Sequence, residues 1–302
     1  MLLKRELDTK KDTIIKAISS ARSAKPAYGD LYPLLEKLFL TQLEVKEELS
    51  IEPVIITQEQ VQLKWNEGFP LLKRWEFPVD VSAAEKILIS MEESIPAGNQ
   101  QLLDAHLAVR QALSRDSQQK QAIWESFLQH ELEPWEEWLD TTDKDLASII
   151  FWARSGLRPS LEVTAENLLN MFPVPDSWLK GYCPVCGSLP SLLFLQGDGE
   201  RRAYCSWCSS QWGLYRMQCP NCENRYHESL GYLYAETEPN YHVHYCRLCS
   251  TYFKQIDVRE MVDPVYFPLE EWTTLHLDLL AQRAGWKQAT SPSPIVYGES
   301  QD

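Results

Sequence analysis

Cysteine is missing from the first 182 residues of this 302-residue chain and again after position 249. All eight cysteines fall between Cys183 and Cys249. A disulfide framework distributes its cysteines over the domain it staples, so this clustering marks a metal-binding module and fits a reducing compartment. Basic residues are scarce: 29 Lys and Arg stand against 43 Asp and Glu, a net charge of −14. That balance opposes the basic footprint drawn to phosphate backbones, so nucleic acid is not an expected partner. No run approaches the roughly 20 apolar residues of a membrane span, and the opening MLLKRELDTKK has no apolar core of a leader. The expected location is cytoplasmic, without membrane insertion. GxSxG, P-loop and GxGxxG motifs are absent, and Gly197-Asp198-Gly199 reads as a turn. His227-Glu228 opens like a HExxH helix but continues Ser229-Leu230-Gly231-Tyr232, without the second histidine. No catalytic residue is expected, and the chain does not read as an enzyme.

What is present suggests about two domains with enough apolar content, 44%, for a packed core. Leu31, Leu34, Leu35, Leu38, Leu43, Val45 and Leu49 recur mostly at three- and four-residue steps, as an amphipathic helix requires. Leu102, Leu103, His106, Leu107 and Val109 form a second stripe; Ile123, Trp124, Phe127, Leu128, Leu132, Trp135 and Leu139 form a third; residues 145–157 form a fourth. Pro53, Pro70, Pro78, Pro96 and Pro159 are read as breaks between helices. Pro173-Val174-Pro175-Asp176 ends the helical pattern, and β-branched, aromatic and Gly residues follow. Beyond Val262, Trp272, Leu275, Leu279, Leu280 and Trp286 are spaced for one helix face, before a loose SPSPIVYGESQD tail. The predicted fold is multidomain, α plus small β. It comprises an all-helical domain over 1–175, two tandem rubredoxin-like or zinc-ribbon modules over 176–217 and 218–262, and a C-terminal helix with its tail over 263–302.

The cysteines form four CxxC pairs, Cys183/Cys186, Cys205/Cys208, Cys219/Cys222 and Cys246/Cys249, with none left over. A two-residue gap aims both sulfurs of one tight turn at a single ion, and two such knuckles complete a tetrahedron of thiolates. A duplication indicates the partnership. Tyr204-Cys205-Ser206-Trp207-Cys208-Ser209-Ser210 and Tyr245-Cys246-Arg247-Leu248-Cys249-Ser250-Thr251 share Y-C-x-x-C-S-[ST], while Cys183 and Cys219 each open CPxC. The unit CPxC…YCxxCS thus occurs twice, pairing 183/186 with 205/208 and 219/222 with 246/249. The competing arrangement joins outer with outer and inner with inner knuckles. Apolar 192–195 before the Gly197 turn, and 230–234 with 241–245 around a polar 236–240 turn, supply the hairpins. A sulfur tetrahedron suits zinc or a single iron. Ribbons of about 40 residues bury too little apolar surface to fold alone, so the ions are structural by default, with redox or sensory use as the competing reading. Rubredoxin-type knuckles favour Gly after the second cysteine; Gly187 obeys, whereas Ser209, Glu223 and Ser250 depart.

His242 and His244 share one strand face and read as exposed strand histidines, because the cysteines already fill the coordination number. Trp124, Trp135, Trp138 and Trp152 fall at helical spacing and read as core. Residues 181–262 carry seven basic against eight acidic side chains, a balance that favours a protein partner over DNA.

In order, CPVCGSLP, RRAYCSWCSSQW, YRMQCPNC, YCRLCSTYFKQID and LEEWTTLHLDLLAQRAGW resemble the formate dehydrogenase accessory protein (FdhE) family over residues 181–286. The resemblance implies a cytoplasmic maturation factor without catalytic turnover that binds the catalytic subunit of a molybdenum- or tungsten-containing formate dehydrogenase. It also implies rubredoxin-like sites able to hold iron, so iron is favoured and zinc stays open. The family's metal-site cysteines correspond to Cys183, Cys186, Cys205, Cys208, Cys219, Cys222, Cys246 and Cys249. Where the family has Asp-Asp at the last helix this chain has Glu270-Glu271, followed by the matching Leu277-Asp278-Leu279-Leu280. A rubredoxin-like redox or electron-transfer protein is the alternative function.

Overall fold

The computed structural model describes residues 2–113, 117–129, 146–234 and 238–289. The predicted Leu132, Trp135, Trp138 and Leu139, part of the 236–240 turn and the 291–302 tail lie outside the described residues. The amphipathic first part folds as helices α1 (Leu2–Ala24), α2 (Tyr32–Glu48), α3 (Gln58–Asn66), α4 (Val81–Met91), α5 (Gln100–Leu113), α6 (Ser117–Gln129) and α7 (Leu146–Met171). Capping chemistry sets two of the starts. Thr57 and Gln60 form a capping box on α3, and Asp80 accepts from Ala83 N at 2.9 Å on α4. The stripe on α2 buries Leu34, Leu35, Leu38 and Val45 as predicted. On α5 the buried face is Leu102, Ala105, His106, Val109 and Ala112, whereas Leu107 points outward.

Pro159 lies inside α7, not between helices as the sequence suggests. A helical proline leaves the carbonyl four residues back without its N–H partner. Here Gln42 Nε2, from α2, donates to Ser155 O at 2.8 Å and replaces that missing bond. The helix therefore continues to Met171, and the substitution of partners also pins α2 to α7.

The second part forms one sheet from β1 (Leu192–Gln196), β2 (Glu200–Tyr204), β3 (Gln211–Gly213), β4 (Leu230–Tyr234), β5 (Tyr241–Cys246), β6 (Thr251–Asp257) and β7 (Lys287–Gln288). Strand order is β3-β2-β1-β6-β5-β4, with β7 on β6. The Gly197 turn closes β1 and β2, its two glycines taking φ of 49° and 94°, values open to glycine at little cost. The two tandem hairpins are fused: β1 and β6 pair in parallel, Leu193 opposite Gln255, so both repeats share one ladder.

The two sheet faces have different covers. Leu192, Phe194, Tyr204, Tyr241, Val243, Tyr252 and Ile256 meet the C-terminal segment through Phe267, Leu277, Ala281 and Trp286. That segment is two helices, α8 (Phe267–Thr273) and α9 (Leu275–Arg283), which meet at Thr274. The break rotates the predicted stripe: Leu269, Thr273, Leu277 and Ala281 are buried, while Leu275 and Leu279 are exposed. The other face contributes Leu193, Ala203 and Trp212 to the large core that also holds Ile18, Leu35, Trp124, Trp152 and Leu161 of the helices. Backbone bonds cross from the helical part as well, Leu71 N to Pro184 O at 3.0 Å and Leu72 N to Val185 O at 2.8 Å. Among the described residues no helix is long and apolar enough to cross a membrane.

Candidate metal centres

Three of the four CxxC turns share a closing backbone bond, and two of them share a second. Cys183 N donates to Ser188 O and Gly187 N to Cys183 O; Cys205 N donates to Ser210 O and Ser209 N to Cys205 O; Cys219 N donates to Asn224 O. The residue after the second cysteine is left-handed in all four knuckles: Gly187 at φ 72°, Ser209 at 60°, Glu223 at 55° and Ser250 at 58°. The three positions that depart from glycine in sequence therefore keep the glycine backbone. A non-glycine residue there costs about 1–2 kcal/mol, which the turn's hydrogen bonds and the sulfur cluster must offset. Ser250→Gly is expected to relieve that strain less glycine's own entropy cost, stabilising by about 0.5 kcal/mol, with Ser250→Val shifting the melting temperature the opposite way.

The sulfurs converge as the duplication predicts. Cys183, Cys186, Cys205 and Cys208 form one group and Cys219, Cys222, Cys246 and Cys249 the other, each with all sulfurs within 4.8 Å of one another. The competing outer–outer and inner–inner pairing is not the one formed. Sγ separations are 3.6 Å for Cys183–Cys208, 3.5 Å for Cys186–Cys205, 3.6 Å for Cys219–Cys249 and 3.8 Å for Cys222–Cys246. Disulfides need about 2.05 Å. A tetrahedron with metal–sulfur bonds of about 2.3 Å has edges of about 3.8 Å, so the donor sets fit a four-thiolate metal ion.

The surroundings suit anionic sulfur. The residue two places after each second cysteine presents a polar group: Ser188 Oγ is 3.2 Å from Cys186 Sγ, Ser210 Oγ 3.1 Å from Cys208 Sγ and Thr251 Oγ1 3.0 Å from Cys249 Sγ. The fourth equivalent, Asn224, donates to Cys246 Sγ at 3.7 Å instead. Once the sulfurs are thiolates these hydroxyls donate to them, orienting the ligands from outside the tetrahedron. Burial raises the Cys249 thiol, but the Thr251 hydroxyl and Asn221 outweigh it and hold the pKa at about 6, whereas burial pushes Cys219 up strongly and Cys222 to about 11, so a bound cation is needed to make the whole set anionic.

Two arginines, the half-buried Arg74 and the buried Arg201, which no sequence motif distinguishes, complete the electrostatics. A divalent ion with four thiolates carries a net charge of −2, so a nearby cation lowers the cost of burying it. Arg74 bonds Ser188 Oγ through Nε and Nη2 and lies 4.6 Å over the Trp207 ring. Burial lowers its pKa while the charges of Cys186 and Cys205 oppose that shift. Arg201 crosses from the first hairpin to the entry of the second centre, donating to Gln255 Oε1 at 3.0 Å and Gln218 O at 2.6 Å. Burial takes Arg201 down to about 10, against the pull of Tyr232 and Cys219, so it stays cationic at neutral pH. Each centre thus has one guanidinium beside it, half-buried at the first and buried at the second.

A polar knot ties α7 to the first centre. Glu162 accepts from Arg158 Nε at 2.7 Å, Lys46 Nζ at 3.1 Å and Ser209 Oγ at 2.6 Å, and Arg158 also donates to the Tyr204 hydroxyl. Burial opposes the Glu162 charge, yet Arg158 and Lys46 overcome it and bring the pKa from 4.5 to about 2. The folded value is depressed, so this contribution is present above about pH 4.5 and lost as pH falls through about 2, on the order of 3 kcal/mol. Glu162→Gln is expected to lower the melting temperature at pH 7 by roughly 5–10 °C, measured by calorimetry, because the buried Arg158 loses its nearest counter-charge while the half-buried Lys46 keeps only Glu166.

The remaining candidates find structural places. His242 and His244 do share a face, opposite Tyr234 and Tyr232, but His244 is fully buried, not exposed, with the Tyr232 ring 5.1 Å away and burial, helped by the Arg201 guanidinium, holding its pKa well below the usual value. Neither histidine belongs to a sulfur cluster. His227 and Glu228 sit in a short exposed turn. The Glu270-Glu271 pair anchors the C-terminal helices: Glu270 accepts from Lys25 at 3.3 Å and Tyr241 at 3.1 Å, and Glu271 lies 3.7 Å from Arg154. Asp278 accepts from Lys254 at 2.9 Å and the Tyr252 hydroxyl at 2.8 Å.

No protein-family model matches the chain. It is 37% identical over 141 residues to the protein FdhE homolog of Aquifex aeolicus, an overlap of 45% of this chain and 48% of that protein. Against the Pectobacterium atrosepticum FdhE homolog it is 28% identical over 233 residues, 74% of this chain and 68% of the relative. A Haemophilus influenzae FdhE homolog is 26% identical over 159 residues and is 46% covered. The chain spans about half the length of the first curated relatives it matches. The crystal structure of the FdhE protein from Pseudomonas aeruginosa has a similar fold, with a TM-score of 0.64 at 20% identity over 93% of this chain and 94% of that one.

Proposed function

The chain belongs to the FdhE family, and on that premise we propose that it is a cytoplasmic maturation factor for formate dehydrogenase that binds the client's catalytic subunit and turns over no substrate. The observation that carries the reading is the pair of preformed four-sulfur cages, in the family's order, built into one core with the helical part. In this reading Cys183, Cys186, Cys205 and Cys208 hold one metal ion, and Cys219, Cys222, Cys246 and Cys249 hold a second. Iron is the metal we propose, on the family resemblance; a tetrahedral thiolate set accepts zinc equally well. The helical part over 1–175, the ribbons over 176–217 and 218–262 and the C-terminal segment from 263 act together as the client-holding body, because metal-held knuckles and helices share their packing.

The test is retention of the client. Affinity-tagged chain, purified anaerobically from its own cells growing on formate, is expected to carry along the formate dehydrogenase catalytic subunit, identified by mass spectrometry. Its consistent absence, with both metal ions in place on the bait, would contradict the proposal.

A further inference from the structure

The two centres are chemically alike and differ in how they are buried. Cys183, Cys186, Cys205 and Cys208 are 0%, 5%, 0% and 1% exposed. Trp207 and Arg74 close over them, with the Phe127 ring stacked on Trp207 from the helical side. In the second centre Cys219 and Cys246 are buried, Cys249 is half-buried and Cys222 is exposed. Three of the four x positions of its knuckles are open too: Asn221, Arg247 and Leu248 are exposed, with Leu248 at 70%, and Pro220 alone is buried. Polar support is equally uneven. Cys186, Cys208 and Cys249 each have a hydroxyl within 3.2 Å, whereas Asn224, at the place that would serve Cys222, is turned to Cys246. The buried guanidinium of Arg201 approaches this centre at the Cys219 end, where it donates to Gln218 O at 2.6 Å.

We propose that the first centre is a permanent structural joint and the second is a ligand-exchanging site, at which Cys222 is the sulfur that leaves and a soft sulfur donor from outside takes its place. This rests on both cysteine clusters holding metal. Exchange at a four-coordinate ion needs a path for the incoming donor and a medium that solvates the outgoing thiolate. Cys222 has both at the surface. A sulfur released in the first centre stays buried out of reach of water, with no route for an incoming donor, where separating it from the ion is disfavoured. When a thiol enters, its sulfur bonds to the ion, the bond from Cys222 breaks, and the thiol's proton passes to Cys222 Sγ. Cys219, Cys246 and Cys249 keep their bonds, and no electron changes hands.

The experiment uses the full chain loaded with two zinc ions. Excess 4-(2-pyridylazo)resorcinol is expected to withdraw one zinc at least about 100-fold faster than the other. Under brief N-ethylmaleimide treatment, peptide mapping should find Cys222 modified first and the four cysteines of the first centre protected. Cys222→Ser should abolish the fast zinc and leave the slow one. Two zinc ions leaving at one rate, or first modification at Cys183, Cys186, Cys205 or Cys208, would overturn the inequality. A chain that takes up fewer than two zinc ions would instead overturn the two-centre reading beneath it.

Discussion

Replacing Cys205 by Ser is expected to leave the chain with a single bound metal ion and to lower its melting temperature by more than about 10 °C. Cys205 is fully buried, and its group lies in the same core as the helices. Four-thiolate binding contributes roughly 10–16 kcal/mol to folding of small metal modules, so its loss is comparable with the usual stability of a whole domain, about 5–15 kcal/mol. A serine hydroxyl neither ligates as thiolate does nor leaves the other three sulfurs with a partner. The loss spreads to the helical part because Leu71 and Leu72 bond the Cys183/Cys186 turn and Arg74 bonds Ser188. Differential scanning calorimetry with elemental analysis reads both effects, and Cys222→Ser is the contrasting variant, predicted to cost less because its site is open to water. A Cys205→Ser chain that melts with the wild type would show that the first knuckle pair carries no structural metal.

Gly181→Ala is expected to be the most damaging single methyl in the sheet region. A Cβ at Gly181 would overlap the carbonyl oxygen of Pro220 and lie 2.6 Å from its carbon, and neither is a flexible side-chain end. Pro220 belongs to the CPNC turn, and Gly181 N donates to Glu223 Oε1 at 3.0 Å, so this is where the entry to the first ribbon presses on the second. Overpacking of this kind costs about 1–3 kcal/mol, and more where backbone must move. The predicted outcome is a drop of roughly 5–10 °C in melting temperature with metal lost first from the second centre. Gly98→Ala is the control: its added methyl meets nothing within 4 Å, and its stability should stay within about 0.5 kcal/mol of the wild type. Equal behaviour of the two variants would refute the contact.

How much of this was legible in the sequence depends on how local each feature is. The two sulfur groups could be read because the Y-C-x-x-C-S repeat carries the partnership within about 40 residues of chain, and the hairpins because an apolar run leads into a Gly-Asp-Gly turn in the first and strand-like stretches flank a polar turn in the second. The parallel pairing of β1 with β6 could not: it joins Leu193 to Gln255, and no local pattern records it. Ser209, Glu223 and Ser250 looked like departures from the knuckle type because residue identity predicts φ only on average, whereas the turn's hydrogen bonds impose it. Pro159 looked like a helix end because the compensating donor, Gln42, lies more than 100 residues away. The last helix looked continuous because nothing around Thr274 is a strong breaker; the packing of Leu269 and Leu277 on different surfaces separates its halves. Arg74 and Arg201 were invisible as site residues because a lone arginine has no signature until the anion it faces is located.

The most direct test is a metal count on anaerobically purified full-length chain, by elemental analysis and native mass spectrometry together with an absorption spectrum. The predicted result is two metal ions per chain, falling to one in Cys205→Ser and to one in Cys222→Ser, with thiolate-to-iron bands if the native metal is iron. A wild-type count of one or none would contradict the assignment of Cys183, Cys186, Cys205 and Cys208 to one ion and Cys219, Cys222, Cys246 and Cys249 to another.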